Sequence, residues 1–183
     1  MNSISKLKAA LAVTILLALP LAQAGTMNLA DYYSAKTRIG ADHEIDKEAC
    51  GKLAANARDV CIEEAKATDK VARAELEFAY SGKASDQNAR LVARAESAYA
   101  VAKEKCDDKA GNDKDVCVAE AKAAETKALA AAKMDKQVGE AKTEAAQDSR
   151  EADYKVAAEK CEAMAGDAKT SCVSAAKARF GKS

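Results

Sequence analysis

The sequence is poor in the residues that interrupt helices and in those that fill large cores. Its 183 residues include no tryptophan, two phenylalanines, one histidine and one proline, Pro20. Because no proline follows position 20, no later helix is interrupted by a missing backbone donor. With so few aromatic side chains the chain cannot build a large aromatic core. With one histidine it cannot form a histidine cluster of the kind found in many catalytic zinc sites.

Net charge is also lacking, since 29 Lys and Arg residues balance 29 Asp and Glu residues. A chain without excess positive charge has no electrostatic footprint for nucleic acid or for an anionic membrane surface. We therefore expect no nucleic-acid partner. What is abundant is alanine together with charged residues that favour helices, which predicts an almost entirely helical protein.

The N-terminal segment has the features of a cleavable signal peptide. A basic leader precedes an apolar run at residues 9–19, which is too short for a typical membrane span, and Ala22-Gln23-Ala24 forms a small-x-small cleavage site. We expect residues 1–24 to be removed and residues 25–183 to form a single elongated helical domain. The expected location is the periplasm or the outside of a bacterial cell, with no stable membrane insertion after cleavage.

Six cysteines form three identically spaced pairs, each with ten residues between its two members. The pairs are Cys50/Cys61, Cys106/Cys117 and Cys161/Cys172, and they recur after 56 and then 55 residues. The flanking residues recur as well, because a glutamate lies two residues before each first cysteine and Ile or Val lies five residues before it. Such matching at a fixed period indicates duplicated supersecondary units.

Geometry requires the chain to reverse direction within each pair. On one continuous helix, cysteines 11 residues apart would lie about 16 Å apart along the axis, whereas a disulfide needs Cα atoms within roughly 7 Å. The central Ala-Asn, Gly-Asn and Gly-Asp dipeptides favour a turn. Although six cysteines allow many pairings, local closure of each repeat is entropically the least costly. We predict three disulfides within the pairs, which also favour an oxidising compartment.

These features predict an all-α fold of elongated antiparallel helical hairpins, coiled-coil-like, with a disulfide in each of three repeats. Five helices are expected at about 28–53, 59–80, 86–109, 113–164 and 169–180. The corresponding hairpin units span about 28–80, 86–135 and 140–181. The long helix at about 113–164 contains Gly139, a candidate position for a bend. Apolar residues from Val60 to Phe78 form a packing stripe on one helix face, which Glu64 interrupts.

The repeated segment EKCDDKAGNDKDVCVAEAKA, residues 104–123, carries a resemblance. The chain resembles a group of proteobacterial exported Ala/Lys-rich helical proteins with repeated Cys-x10-Cys hairpins, often described as TolA-like after the cell-envelope protein of the Tol-Pal system. The likeness to TolA itself is one of composition, and the N-terminal segment looks cleavable where TolA retains an anchor. The resemblance implies a cell-envelope location and another envelope component as partner, and it implies no established activity.

Nothing in the sequence predicts catalysis. His43 lies seven residues before Cys50, a position that Tyr99 and Tyr154 occupy in the other repeats, so we interpret it as a structural position facing the hairpin. The chain contains no Gly-rich phosphate loop, nucleophile elbow or helical His-Glu metal motif. We expect no enzyme, no catalytic residue and no cofactor.

The function expected from these residues is that of a non-catalytic envelope protein, either a structural spacer or a protein-interaction component. The alternative is a periplasmic metal-binding or stress-linked, chaperone-like protein. Copper(I) could use one cysteine pair with Met164. That methionine is replaced by Leu53 and Lys109 in the other repeats, which does not favour a repeated copper site. The sequence leaves the oligomeric state open.

Overall fold

A computed structural model describes residues 27–182, and in that range it contains five α-helices and one 3-10 turn. The helices are α1 Leu29–Cys50, α2 Ala55–Ser81, α3 Ala84–Lys105, α4 Gly111–Glu162 and α5 Gly166–Phe180, with the 3-10 turn at Cys106–Asp108. The all-α fold of disulfide-linked hairpins is confirmed. The predicted signal peptide at residues 1–24 lies outside the described residues.

No helix within residues 27–182 combines the length and the apolar character that crossing a bilayer requires.

The three disulfide-linked turns share one backbone conformation. In each, an alanine in extended conformation, at position 54, 110 or 165, precedes the first residue of the second helix. That first residue has a positive φ: 50° at Ala55 and 56° at both Gly111 and Gly166. The left-handed residue turns the chain directly into the next helix. The second helices therefore begin at 55, 111 and 166, earlier than the expected starts at 59, 113 and 169.

The helices form an array in which each packs against its neighbours in sequence. Near the first two disulfides, Lys105 on α3 lies 2.6 Å from Glu64 on α2. At the opposite end, Gln87 on α3 donates a hydrogen bond of 3.0 Å to Asp135 on α4. Since α4 continues well beyond Asp135, the third disulfide lies at the far end of the molecule. The first and second disulfides share one end, as the alternation of helices requires.

Helix α4 is 52 residues long and continuous through Gly139, so it spans about 78 Å. Its first half packs against α3 and its last part against α5. Between these contacts, residues 140–150 are all exposed. This stretch is a single helix surrounded by solvent, which its alanine and charged residues tolerate because they favour helix without needing a core.

The core is small and consists mainly of alanine and cysteine. The side chains that are fully buried are those of Cys50, Cys106 and Cys161, the first cysteine of each pair. Ala65, Ala93, Ala95, Ala132 and Ala176 are also buried, whereas Leu76 is the one buried leucine among the described residues. Such side chains bury little apolar area each, so the covalent links carry an unusual share of the stability.

The left-handed turn residue predicts opposite effects of glycine and alanine at equivalent positions. Alanine is strained at positive φ, whereas glycine is not. Ala55→Gly is expected to stabilise the protein by up to about 1 kcal/mol, and Gly111→Ala and Gly166→Ala to destabilise it by about 1 kcal/mol each. An added Cβ at Gly111 or Gly166 would meet nothing within 4 Å, so no new side-chain contact contributes to the stability change that denaturant unfolding of these variants measures.

Ala54→Gly is the matched control, because Ala54 has extended backbone with φ of −131°. Glycine there only increases the freedom of the unfolded chain and is expected to destabilise by about 0.5 kcal/mol. Equal destabilisation by the substitutions at 54 and 55 would contradict the assigned strain.

Candidate functional site

The six predicted cysteines are joined within their own pairs. The Cα–Cα distances are 5.5 Å for Cys50–Cys61, 5.7 Å for Cys106–Cys117 and 5.7 Å for Cys161–Cys172. No free cysteine remains among the described residues. The bonds are structural in character, since one sulfur of each lies in the core and none is a thiolate able to react or to bind metal.

Below each disulfide, one position of the first helix faces the second helix, and its chemistry varies between repeats. In the first repeat the Nδ1 atom of His43 lies 3.2 Å from the carbonyl oxygen of Ala65. In the second, the Lys122 ammonium lies 4.8 Å from the centre of the Tyr99 ring. In the third, the Tyr154 and Phe180 rings meet edge to face with centroids 6.3 Å apart. His43 therefore occupies a position between helices.

An acidic residue accompanies this position in the first two repeats. Asp69 lines a cavity of about 60 Å³ together with His43. The Arg73 side chain donates hydrogen bonds of 2.8 and 2.9 Å to the Asp69 carboxylate. These bonds, followed by the attraction of Arg73 and His43, hold the pKa of Asp69 below its ordinary value despite partial burial. In the second repeat Glu125 is buried and accepts a 2.6 Å hydrogen bond from Lys122.

An apolar groove runs between α2 and α3, with a volume of about 790 Å³. Val71, Ala98 and Val101 are among its lining residues, and ion pairs cross it at two levels. One joins Glu64 to Lys105 at 2.6 Å, and the other joins Glu75 to Arg94. Glu64, which interrupts the apolar stripe in the sequence, therefore pairs across the helix interface. The alternation of apolar and paired charged residues fixes the register of α2 against α3.

A similar groove of about 520 Å³ lies between the end of α4 and α5. Its α4 side is formed by Asp153, Val156, Ala157 and Lys160. These residues lie 55 positions after Ala98, Val101, Ala102 and Lys105, which line the groove between α2 and α3. The same face of two equivalent helices is thus exposed beside both grooves. The repeat spacing contained this correspondence, but spacing alone does not distinguish an open helix face from a covered one.

At the other end of the first hairpin, Tyr32 anchors α1 to α2. The Tyr32 hydroxyl donates a hydrogen bond to Glu77, and its ring lies 4.7 Å from that of Tyr80. The bond to Glu77 is the main cause that raises the pKa of Tyr32. Sequence reasoning missed this contact, because residues 45 positions apart meet here only through the antiparallel packing.

The described residues do not bring together a set of side chains that could hold a metal ion. Within residues 27–182 no three His, Cys, Asp or Glu side chains approach closely enough to hold a metal ion. Met164 lies in the third turn and is exposed, beside cysteines that are bonded to each other. Two notable surface features of this region are the grooves between α2 and α3 and between α4 and α5.

Comparison with known proteins finds no match, neither to a protein-family profile, nor to a curated protein, nor to a solved structure.

Removing a disulfide is expected to have different effects at the end and in the middle of the array. Helix α5 packs only on α4, whereas α3 and α4 of the second hairpin pack closely on each other and α3 also contacts α2. In Cys161→Ser/Cys172→Ser we therefore expect α5 to lose its protection from hydrogen exchange while the remaining helices keep theirs. The expected cost is roughly 3 kcal/mol in the chain-entropy model.

Cys106→Ser/Cys117→Ser is the matched control. It loses a similar free energy, but α4 should retain its protection near residue 117 because tertiary packing holds it. The same local exposure in both variants would show that packing contributes no more to the second hairpin than to the third.

The lowered pKa of Asp69 predicts that part of the free energy of unfolding depends on pH. Because the folded-state pKa of Asp69 is lowered, its contribution is fully present above the unfolded-state pKa, near pH 4, and is lost as pH falls through the folded-state pKa. Asp69→Asn is expected to cost about 0.5 kcal/mol at neutral pH and to converge with the parent protein in acid. Urea unfolding across pH measures this difference.

Glu44→Gln, which removes an exposed pair with Lys47, is the control and should change stability less. If the stability difference between Asp69→Asn and the parent protein stayed the same down to strong acid, the assignment to Asp69 would be contradicted.

Proposed function

We propose that the chain is a non-catalytic, exported helical protein of the cell envelope, acting as a spacer or as a protein-interaction component. The observation that carries this proposal is the set of three disulfides. Disulfides of this structural kind persist in oxidising compartments and are rare in a reducing cytosol. They agree with the signal peptide expected at residues 1–24 and with the resemblance to TolA-like exported proteins.

The shape supports the spacer role. Helix α4 connects two disulfide-linked parts, and its central stretch at residues 140–150 is exposed throughout. A helix of this kind holds its ends at a fixed separation of several tens of ångströms, at about 1.5 Å per residue. The surrounding charges are distributed as pairs, such as Lys136 with Glu140 at 3.7 Å. This arrangement favours solubility and extension over the recognition of one small ligand.

The groove between α2 and α3 supports the interaction role. Its apolar lining and its charged rim match the chemistry of a partner helix or an extended peptide with alternating apolar and charged residues. The chaperone-like alternative would use the same groove for less specific clients. The copper alternative requires free thiolates, which the bonded cysteines do not offer.

Export is tested by expressing the full precursor in a host with a periplasm. The N-terminus and the disulfide state are then determined by non-reducing mass spectrometry. We expect a chain that begins after Ala24, with three linked cysteine pairs, in the periplasmic fraction. Leu16→Arg, which places a charge in the apolar run, is the control and should leave an uncleaved chain with reduced cysteines in the cytoplasm. An intact N-terminus and cytoplasmic location of the parent chain would overturn the proposal.

The interaction role is tested by crosslinking in intact cells followed by purification from the envelope. Recovery of a defined envelope protein by the parent chain, and its loss on Val71→Lys in the groove between α2 and α3, would support a specific partner. Recovery of many unrelated unfolded proteins would favour the chaperone-like alternative instead.

A further inference from the structure

The outer face of α4 leaves several apolar residues about half exposed or more. Met134 and Val138 in its first half are 65% and 49% exposed, and Val156 in its second half is 55% exposed. Steps of three and four residues connect these positions along one side of the helix. We call this side the α4 outer face. It runs from Glu120 to Lys160, a length of about 60 Å.

The internal repeat relates the α4 outer face to the contact between α2 and α3. Counting from the second cysteine of each pair, the first half of α4 is equivalent to α2 with an offset of 56 residues. Counting back from the first cysteine, the second half of α4 is equivalent to α3 with an offset of 55 residues. The first half of the outer face therefore corresponds to the side of α2 that packs on α3, and the second half to the side of α3 that packs on α2.

The two equivalent junctions have different conformations. Between α2 and α3 the chain reverses at Gly82, which has φ of 63° and caps α2. At the equivalent position, around residues 137–139, α4 continues as a helix. The two complementary sides that meet in the α2–α3 pair are therefore held apart on opposite halves of one straight helix. They can meet only if a second copy of the chain supplies the missing half.

The charges on the two halves are complementary in the register that α2 and α3 adopt. The pair Glu64–Lys105 corresponds to Glu120 and Lys160, which again have opposite signs. In the same register Val71 and Ala98, which line the α2–α3 groove together, correspond to Lys127 and Asp153.

All four charged residues of α4 in this register are exposed. The pair Glu75–Arg94 corresponds to Ala131 and Ser149, which introduce no repulsion. Opposite charges at two levels, followed by a neutral pair towards residue 140, favour this one antiparallel register.

Neighbouring helices leave room for this contact. Helix α3 already packs against α2 on one side and α4 on the other, and the second half of α4, its equivalent, packs only against α5. Likewise α2 packs against both α1 and α3, whereas the first half of α4 packs only against α3. Each half of α4 therefore lacks one of the two neighbours that its equivalent helix has.

We propose that two copies of the chain associate through antiparallel α4 helices, so that the first half of each α4 packs against the second half of the other. The contact is two-fold symmetric and reproduces the α2–α3 interface twice. The axis lies near residue 140, and Val138 on each copy lies close to it. This self-association is independent of the envelope partner proposed above.

Charge reversal tests the pairing and its register. The oxidised mature protein is expected to be dimeric by sedimentation equilibrium and light scattering. Lys127→Glu and Asp153→Lys should each weaken the dimer by about tenfold or more, because each places like charges together at two symmetric positions. The double variant Lys127→Glu/Asp153→Lys should restore the affinity. Lys133→Glu, on a different side of α4, is the control and should leave it unchanged.

Three outcomes would overturn the proposal. One is a monomer at every concentration tested. The second is a dimer that the reversals do not weaken or that the double variant does not restore. The third is a monomer in which the distance between labels at residues 120 and 160 is that of a closed hairpin, which would show that α4 bends near Gly139 and covers its own outer face.

Discussion

Each hairpin depends on the covalent bond that joins its two helices next to the turn. The first cysteine of each pair is the most deeply buried side chain of its hairpin, and most of the other buried residues are alanines. An alanine interface lets helices approach closely but removes little apolar surface from water. In the unfolded chain the same bonds reduce the entropy that folding must overcome. The disulfides thus take the role that large apolar side chains have in an ordinary helical bundle.

Because each hairpin closes locally, the connections between hairpins are free to differ. The first connection reverses at Gly82, whereas the equivalent region around Gly139 stays helical. A turn gives a compact pair of antiparallel helices, and a continuous helix gives a long rod with two separated halves. One sequence repeat therefore supports two arrangements, and the choice between them is made by a few residues at the junction. Glycine alone does not decide it, since both junctions contain one.

Much of this fold was predictable because its strongest signals are local. The cysteine spacing, with the distance limit of a disulfide, requires a reversal in each repeat, and the absence of proline allows a long helix. The starts of the second helices were misplaced, because each of these helices begins directly at a left-handed residue, Ala55, Gly111 or Gly166. At position 55 this conformation is one that alanine rarely takes, and no local preference of Ala-Asn reveals it.

The candidate site was less predictable than the fold. The ion pair of Glu64 with Lys105 joins residues 41 positions apart, and its existence depends on the register between α2 and α3. His43 was correctly placed on the hairpin face by its equivalence to Tyr99 and Tyr154, yet its neighbours Asp69 and Arg73 could not be identified from spacing alone. Local periodicity gives the face of a helix, but the identity of the facing helix requires the tertiary arrangement.

The arrangement of charged and apolar side chains along the helices also bears on function. In the part of the chain that the structure describes, the cysteines are bonded to one another and no cluster of His, Cys, Asp or Glu could hold a metal ion. Charged and small apolar residues are interspersed along the helices. Such faces discriminate between partners by register and charge order over many residues, so that no single side chain dominates. The repeat has already produced one interface of this kind, between α2 and α3. The residues equivalent to both sides of that interface recur on α4. A second copy of the chain can therefore be recognised by the same order of apolar and charged residues.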